Sequence, residues 1–277
     1  MAAIEETAEA LQRDGAAVLR GVVPEDWIGR MREAIEAELA APSSTSAEYG
    51  RIAGRFYGDF FLWLRNEDFR AFALASPLPK VAARLMKSER VNLFYDQLFV
   101  KEPGSVASTP WHQDLPYWPV KGEQVVSIWV PFDPVGPENG AVSYVKGSHA
   151  WGVAFAPQAF DEKNAAAFAG SGLQPMPAIE AHPDRYPLLS FTLDPGDVLA
   201  HLPLTIHGAP GNASKRRRRA LALRYLGEDA RYDPRPGTFL DMESVRAHVP
   251  RPDLAAGAPM AGALFPQAWP RDASSDE

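Results

Sequence analysis

The sequence predicts a mainly β protein, a sandwich or jelly-roll barrel, behind a helical N-terminal third. Three observations carry this. Short runs rich in β-branched and aromatic residues follow one another from Val91, clusters of Gly, Pro, Asn and Asp separate them, and the segment before residue 90 has a helical period instead.

The helical third begins with Ile4–Asp14, followed by a strand over Ala16–Arg20. Pro24-Glu25-Asp26 opens a second helix, in which Trp27, Met31, Ile35 and Leu39 recur every fourth residue on one face. Ala41–Ser46 is a loop, and residues 66–87 are helical with a break near Pro77 and Pro79. The strand-rich runs are Val91–Lys101, Gln124–Phe132, Ala141–Val145, Leu188–Leu193, Asp197–His207 and Ala220–Leu226. Residues 157–187 interrupt them as an insertion of the kind that sits near a barrel mouth. After Asp233 the chain is an irregular tail rich in Pro, Ala and Gly, with disorder expected over Asp272–Glu277. No repeat or linker divides the sequence. Residues 1–277 read as one domain: a helical support over about 1–90, a barrel over about 91–230, and the tail.

Composition narrows the function. With 46% hydrophobic and 23% charged residues the chain is ordinary globular material. Its net charge of −7 and scattered basic residues, Arg216–Arg219 apart, are a poor match for nucleic acid, which needs a basic stripe against phosphates. The absence of cysteine excludes disulfides, zinc fingers, iron–sulfur clusters and thiol nucleophiles. The first residues lack a basic segment followed by an apolar one, and no apolar run approaches membrane-spanning length, so a cytoplasmic protein with no membrane partner is expected.

The chemistry concentrates in Trp111-His112-Gln113-Asp114. In an extended segment residues two apart share a face, so His112 and Asp114 would project together, imidazole beside carboxylate. A third ligand is wanted from a neighbouring strand, since two His and one carboxylate on one side of a metal form the site of non-haem iron(II) oxygenases. His182 and His248 lie in polar loops and His149 in a turn. His201 and His207 share the run Asp197–His207, six residues and therefore roughly 20 Å apart, so only one reaches the metal. His207 is preferred because it ends the run and Gly208 lets the backbone turn away. Downstream, strand alternation groups Arg218 with Ala220 and Ala222, and Arg219 with Leu221 and Leu223. A cosubstrate carboxylate needs an arginine fork with small neighbours, which favours Arg218.

These strings resemble the phytanoyl-CoA dioxygenase family of iron(II)/2-oxoglutarate oxygenases. The resemblance runs from about Gly15 to Leu226 and rests on His112-x-Asp114, the distal His207, and Arg218 eleven residues on. It also includes Gln97-Leu98-Phe99-Val100-Lys101, Asn139-Gly140, Gly147-Ser148-His149, and His207-Gly208 followed by Asn212. It implies a double-stranded β-helix (jelly-roll, cupin-like) with the N-terminal helices packed on one sheet. It implies Fe(2+), 2-oxoglutarate as cosubstrate and O2, with Arg218 holding the 5-carboxylate and Lys101 and Trp129 lining that pocket; Gln97, from the same matched string, is expected there too. The reaction implied is hydroxylation of a small molecule with release of succinate and CO2. Related halogenases have a small residue in place of the carboxylate, so Asp114 argues for oxidation without halide. Tyr117, Trp118, Phe60 and Trp151 are expected around a partly apolar substrate, although the stretch Phe56–Trp63 reads equally as packing between helix and barrel. The rivals are a catalytically silent cupin-like binding protein and a metal-dependent isomerase or hydrolase on the same barrel, which would not need Arg218.

Overall fold

A computed structural model describes residues 2–48, 54–157 and 172–271. Helix α1 (Ala2–Asp14) leads into β1 (Ala16–Leu19), α2 (Glu25–Ala40), β2 (Ala47–Glu48) and β3 (Phe56–Phe60), then α3 (Glu67–Ala75) and α4 (Leu78–Met86). The strands that follow are β4 (Val91–Lys101), β5 (Thr109–His112), β6 (Val120–Lys121), β7 (Val125–Pro131) and β8 (Ser143–Val145). After them come β9 (Leu188–Ser190), β10 (Val198–His201), β11 (His207–Ala209), β12 (Arg218–Leu226), β13 (Arg231–Tyr232) and β14 (Gln267–Trp269).

The strands form a large antiparallel sheet in the order β1-β10-β7-β12-β4-β3-β2, a small sheet β5-β11-β8-β9, and the pair β13-β6. Alternation along β12 sorts the two faces of the large sheet. Leu221, Leu223 and Tyr225 join the main apolar core with helix residues such as Ile28, Phe72 and Leu85. Ala220 and Ala222 face Trp129, Leu199 and, from the small sheet, Tyr144. The architecture is therefore the double-stranded β-helix, helices outside the large sheet and the site between the sheets. No helix of the described residues is long and apolar enough to cross a membrane.

Local chemistry explains the helical part. In α2 the buried residues Ile28, Met31 and Ile35 keep the spacing of one helix face. Asn66 caps α3, its side chain accepting from the Asp68 and Phe69 amides at 2.9 and 3.3 Å. Helix α1 ends at Gly15, whose φ of +86° and close approach to His149 and Thr205 leave no room for a Cβ. The Gly15 carbonyl accepts from the Thr205 hydroxyl (2.8 Å) and the Leu202 amide (3.0 Å), which ties α1 to the β10–β11 turn.

Three expectations change. The run Asp197–His207 is two strands in different sheets, β10 and β11, joined by a turn through Pro203. The segment after Asp233 is irregular but not a loose tail. Phe239 stacks on Tyr95 with ring centroids 4.7 Å apart, Phe265 and Ala268 are buried, and β14 pairs with β4. Of the insertion, 158–171 lies outside the described residues, while Ile179 and Tyr186 pack with Val145 and Ile206. Those two alternate with Tyr144 and His207, so this part covers the outer face of the small sheet. The disorder expected over Asp272–Glu277 also falls outside the described residues.

Asp96 on β4 points to the helix side and is fully buried. One carboxyl oxygen accepts from the Trp63 amide at 3.1 Å, and the other has no partner. Burial pushes its pKa up to about 7. A folded-state pKa above the ordinary carboxyl value contributes stability that is complete below about pH 4 and lost as pH rises towards 7. Asp96→Asn is therefore expected to gain roughly 2–4 kcal/mol over the wild type between pH 5 and pH 8, compared by urea unfolding. Parallel curves for the two proteins would show that Asp96 does not titrate in this range.

Candidate metal centre

His207 on β11 pairs directly with His112 of β5 on one side and with Tyr144 of β8 on the other. Directly opposed residues share a face, so the two imidazoles meet with ring centroids 4.1 Å apart. The Nδ1 of His112 donates to the Pro110 carbonyl (2.8 Å) and that of His207 to the Thr205 carbonyl (2.9 Å). A carbonyl only accepts, so in each neutral ring the proton sits on Nδ1 and the lone pair on Nε2.

Asp114 reaches them by a turn rather than by strand alternation. Strand β5 stops at His112, and Asp114 has helical φ/ψ of −75° and −43°. The Pro203 carbonyl holds this turn by accepting from the Asp114 and Leu115 amides at 2.9 and 3.0 Å. Buried Gln113 locks it from behind, donating to Val153 and Leu204 carbonyls and accepting from the Phe155 amide. Asp114 Oδ1 thereby lies 3.6 Å from His112 Nε2 and 3.8 Å from His207 Nε2. Its other oxygen, Oδ2, accepts from the Ser127 hydroxyl (3.1 Å) and His201 Nε2 (3.2 Å). Since His201 Nε2 donates, its Nδ1 accepts from the Tyr144 hydroxyl at 3.2 Å.

His112, Asp114 and His207 thus offer one ligand atom each, all within 4.8 Å of one another, and all three residues are buried. Burial alone would raise the Asp114 pKa, but His112, His201, His207 and Arg224 around it hold it well below the usual carboxylate range. Burial, with His112 and His201 alongside, pulls His207 well down. A carboxylate beside neutral imidazole is the protonation state that metal ligation requires, so the donor set fits a divalent ion such as iron(II).

The second half of the site lies on β12 and β4. Arg218 stands opposite Lys101, and Ala222 opposite both Gln97 and Trp129. Arg218 is 2% exposed and Lys101 not at all. The Arg218 guanidinium lies 5.4 Å from the centroid of the Trp129 ring, and its Nε has no hydrogen-bond partner. Lys101 donates to the Pro210 carbonyl and sits 4.6 Å from the Phe56 ring centroid. Burial brings Arg218 down to about 10, and burial plus the Arg218 charge brings Lys101 down to about 6. The two buried basic groups stand on paired residues of neighbouring strands, on the face that carries Ala220 and Ala222. Arg219 points the other way and pairs with Asp133 and Glu36.

The aromatic residues separate. Tyr117 is buried with its ring edge-on to His112 at 6.1 Å, and half-buried Phe60 stands opposite Gln97. Trp118 is 1% exposed, and its indole donates to the Tyr95 hydroxyl at 2.8 Å within the core. Trp151, expected near the substrate, packs on Phe155 and Tyr186, which belong to the cluster over the outer face of the small sheet. His201 corrects the spacing argument: the turn brings its ring to 4.6 Å from that of His207, against the roughly 20 Å of a continuous strand. His207 also begins its strand instead of ending it. Gly208 continues the strand, where a Cβ would lie 3.1 Å from the Thr109 carbonyl. Tyr144 and Ser127 had no sequence signal. Arg224 did, since alternation from Arg218 puts it on the inner face.

The family model for phytanoyl-CoA dioxygenase (PhyH) matches residues 11–220. The peroxisomal phytanoyl-CoA dioxygenase of Rattus norvegicus is 24% identical over 246 residues, which is 82% of this chain and 69% of that protein. The multifunctional dioxygenase prhA of Penicillium brasilianum is 25% identical over 245 residues, 83% of this chain and 74% of that one. Among solved structures, the epimerase SnoN in complex with Fe3+, alpha ketoglutarate and nogalamycin RO superposes with a TM-score of 0.75 at 24% identity, covering 96% of this chain and 99% of that one. EctD from S. alaskensis with 2-oxoglutarate and 5-hydroxyectoine gives 0.69 at 21% identity, over 94% and 85%. The fold, the donor set and the family match agree: the chain belongs to the phytanoyl-CoA dioxygenase family and is a 2-oxoglutarate-dependent dioxygenase-type enzyme that uses iron and O2.

Proposed function

We propose that this enzyme hydroxylates a small, partly apolar molecule, with His112, Asp114 and His207 as iron ligands and Arg218 as the anchor of the 2-oxoglutarate 5-carboxylate. The observation that carries the reading is the pairing of two features between the sheets: three convergent donors, and, beside Trp129, a buried arginine and a buried lysine that form no ion pair among the described residues. Bound iron(II) supplies the redox chemistry, in which O2 delivers one oxygen atom to succinate and the other to a substrate C–H bond as 2-oxoglutarate loses CO2.

The chain's own residues hold and orient. Arg218 offers a forked pair of N–H donors to a carboxylate, and Lys101, once protonated, adds a second charge from the opposing strand. The face of Trp129 and the methyl groups of Ala220 and Ala222 shape a dry slot for a short diacid, with Gln97 at its side. Tyr117 packs against His112 and shields the metal side from water. Tyr144, His201 and Ser127 fix Asp114 through Oδ2, which leaves Oδ1 turned towards the two imidazoles.

The test is succinate formation from 2-oxoglutarate with added iron(II) and O2, and product analysis over a substrate panel. An isomerase or hydrolase would turn over without consuming 2-oxoglutarate, and a silent binding protein would form no succinate. Because the similar structures include an alpha ketoglutarate dependent epimerase and carbocyclase, the panel is also read for inverted and ring-closed products.

His201 provides a narrower prediction. His201→Phe keeps the ring but removes the hydrogen bond to Asp114, so iron(II) affinity is expected to fall about 10- to 100-fold in chelator competition. A loss as complete as that of His207→Ala would instead make His201 a ligand.

A further inference from the structure

Arg224 lies on the same face of β12 as Arg218, six residues along, where β4 places Tyr95 and β7 places Ser127 opposite it. Ser127 donates to Asp114, so Arg224 stands one strand from the support of a proposed metal ligand. It is 4% exposed. Its guanidinium carbon is 4.5 Å from the Tyr95 ring centroid and 6.0 Å from that of Trp118. Aromatic faces satisfy the charge of a guanidinium from above but leave its in-plane N–H groups wanting oxygen acceptors. Here Nη1 has one long hydrogen bond, 3.4 Å to the Ala222 carbonyl, and Nε has none.

The Asp114 carboxylate feels the Arg224 charge but does not fill these donors. Arg224 forms no ion pair among the described residues, and Asp114 already has Oδ2 occupied and Oδ1 turned to the histidines. Arg218, the proposed anchor of the cosubstrate, holds its guanidinium over Trp129 near the other end of β12, roughly 20 Å away between Cα atoms, while that of Arg224 lies over Tyr95. A buried cation with unfilled donors is costly unless a ligand completes it. Tyr95, Phe61, Phe239 and Trp118 pack on one another in the core beside Arg224, so the guanidinium is backed by aromatic rings.

We propose that Arg224 binds a carboxylate of the substrate, so that the enzyme acts on an acid with an apolar, ring-bearing body held between this arginine and the iron. The inference rests on the oxygenase reading above and deepens it by naming the substrate class.

Benzoate and its neutral counterpart benzamide are suitable probes. They are titrated by NMR into enzyme saturated with iron(II) and 2-oxoglutarate under anaerobic conditions, so that Arg218 and the metal are already engaged. The wild type is expected to prefer benzoate. Arg224→Gln should weaken benzoate about 10- to 100-fold, the range of a lost charge-assisted hydrogen bond, and leave benzamide unchanged. Affinity for 2-oxoglutarate, measured on the same samples, should stay at the wild-type level. Arg224→Lys keeps the charge, and a retained benzoate preference in it supports the proposal even where Arg224→Gln folds poorly. Equal or absent binding of the two probes in the wild type overturns the proposal, as does an unchanged preference in Arg224→Gln. A loss of 2-oxoglutarate affinity in Arg224→Gln also overturns it, by assigning the residue to the cosubstrate. Wild type that fails to bind 2-oxoglutarate at all would instead sink the oxygenase reading, which separates the two failures.

Discussion

Asp114→Ala is expected to abolish iron(II) retention and succinate formation while the protein stays folded. Asp114 is the anion of the proposed donor set, and without it two neutral imidazoles remain to hold a divalent ion. The loss should exceed the roughly 10- to 100-fold that partners of a ligand contribute, and so should exceed that of His201→Phe. The fold should persist because the turn at Asp114 is held by backbone bonds to Pro203 and by the Gln113 side chain, none of which involves the carboxylate. His112→Ala and His207→Ala should match Asp114→Ala in metal content, read by elemental analysis after gel filtration. Full iron occupancy in His207→Ala would move the third ligand to His201, whose ring is within reach.

Arg218 stands where a short-range rule put it, whereas Asp114 reaches the histidines by a turn and His207 begins its strand, against the alternation and strand-end arguments that singled them out. A His-x-Asp string and alternation along Arg218–Leu226 need no knowledge of distant contacts, and the inward Arg218 and outward Arg219 follow that alternation. What the sequence misjudged depends on turns. The length of Asp197–His207 suggested one strand, but Pro203 cannot donate to a ladder, and the chain changes sheet there. That change brings His201 beside Asp114 as well as His207, a possibility that strand arithmetic ruled out. The packing of Trp151 was out of reach for a similar reason: an aromatic residue after a turn gives no sign of which neighbours it meets, and here it meets Phe155 and Tyr186. The tail after Asp233 has no periodicity to read, yet Phe239 and Phe265 complete the core, because burial needs only apolar side chains at the right places.

Arg218→Ala and Arg219→Ala should separate cosubstrate binding from stability. Arg218 is buried beside Lys101, so its removal deprives a carboxylate of its fork inside a low-dielectric slot. Truncating one partner of such a pair costs roughly 2–5 kcal/mol, an increase in KM for 2-oxoglutarate of about 30-fold to several thousand-fold. The ligand-free protein should not be destabilised to match, because Arg218 is a buried cation with no ion-pair partner among the described residues, so its removal leaves no countercharge unpaired. Arg219→Ala should do the reverse. It breaks the pairs with Asp133 and Glu36 on the outer face of β12, at a cost of about 1 kcal/mol in urea unfolding, and leaves KM within about threefold. Lys101 supplies a second readout. Burial and the Arg218 charge hold it near 6, so at pH 8 it is neutral until the dianion arrives. Binding of 2-oxoglutarate should then take up a proton, and affinity should decline as pH rises above 6. Removing the Arg218 charge raises the Lys101 pKa and moves that decline to higher pH. Calorimetric titrations in buffers of different ionisation enthalpy measure the uptake directly. A larger KM effect from Arg219→Ala than from Arg218→Ala would place the cosubstrate on the outer face of β12 and overturn the assignment.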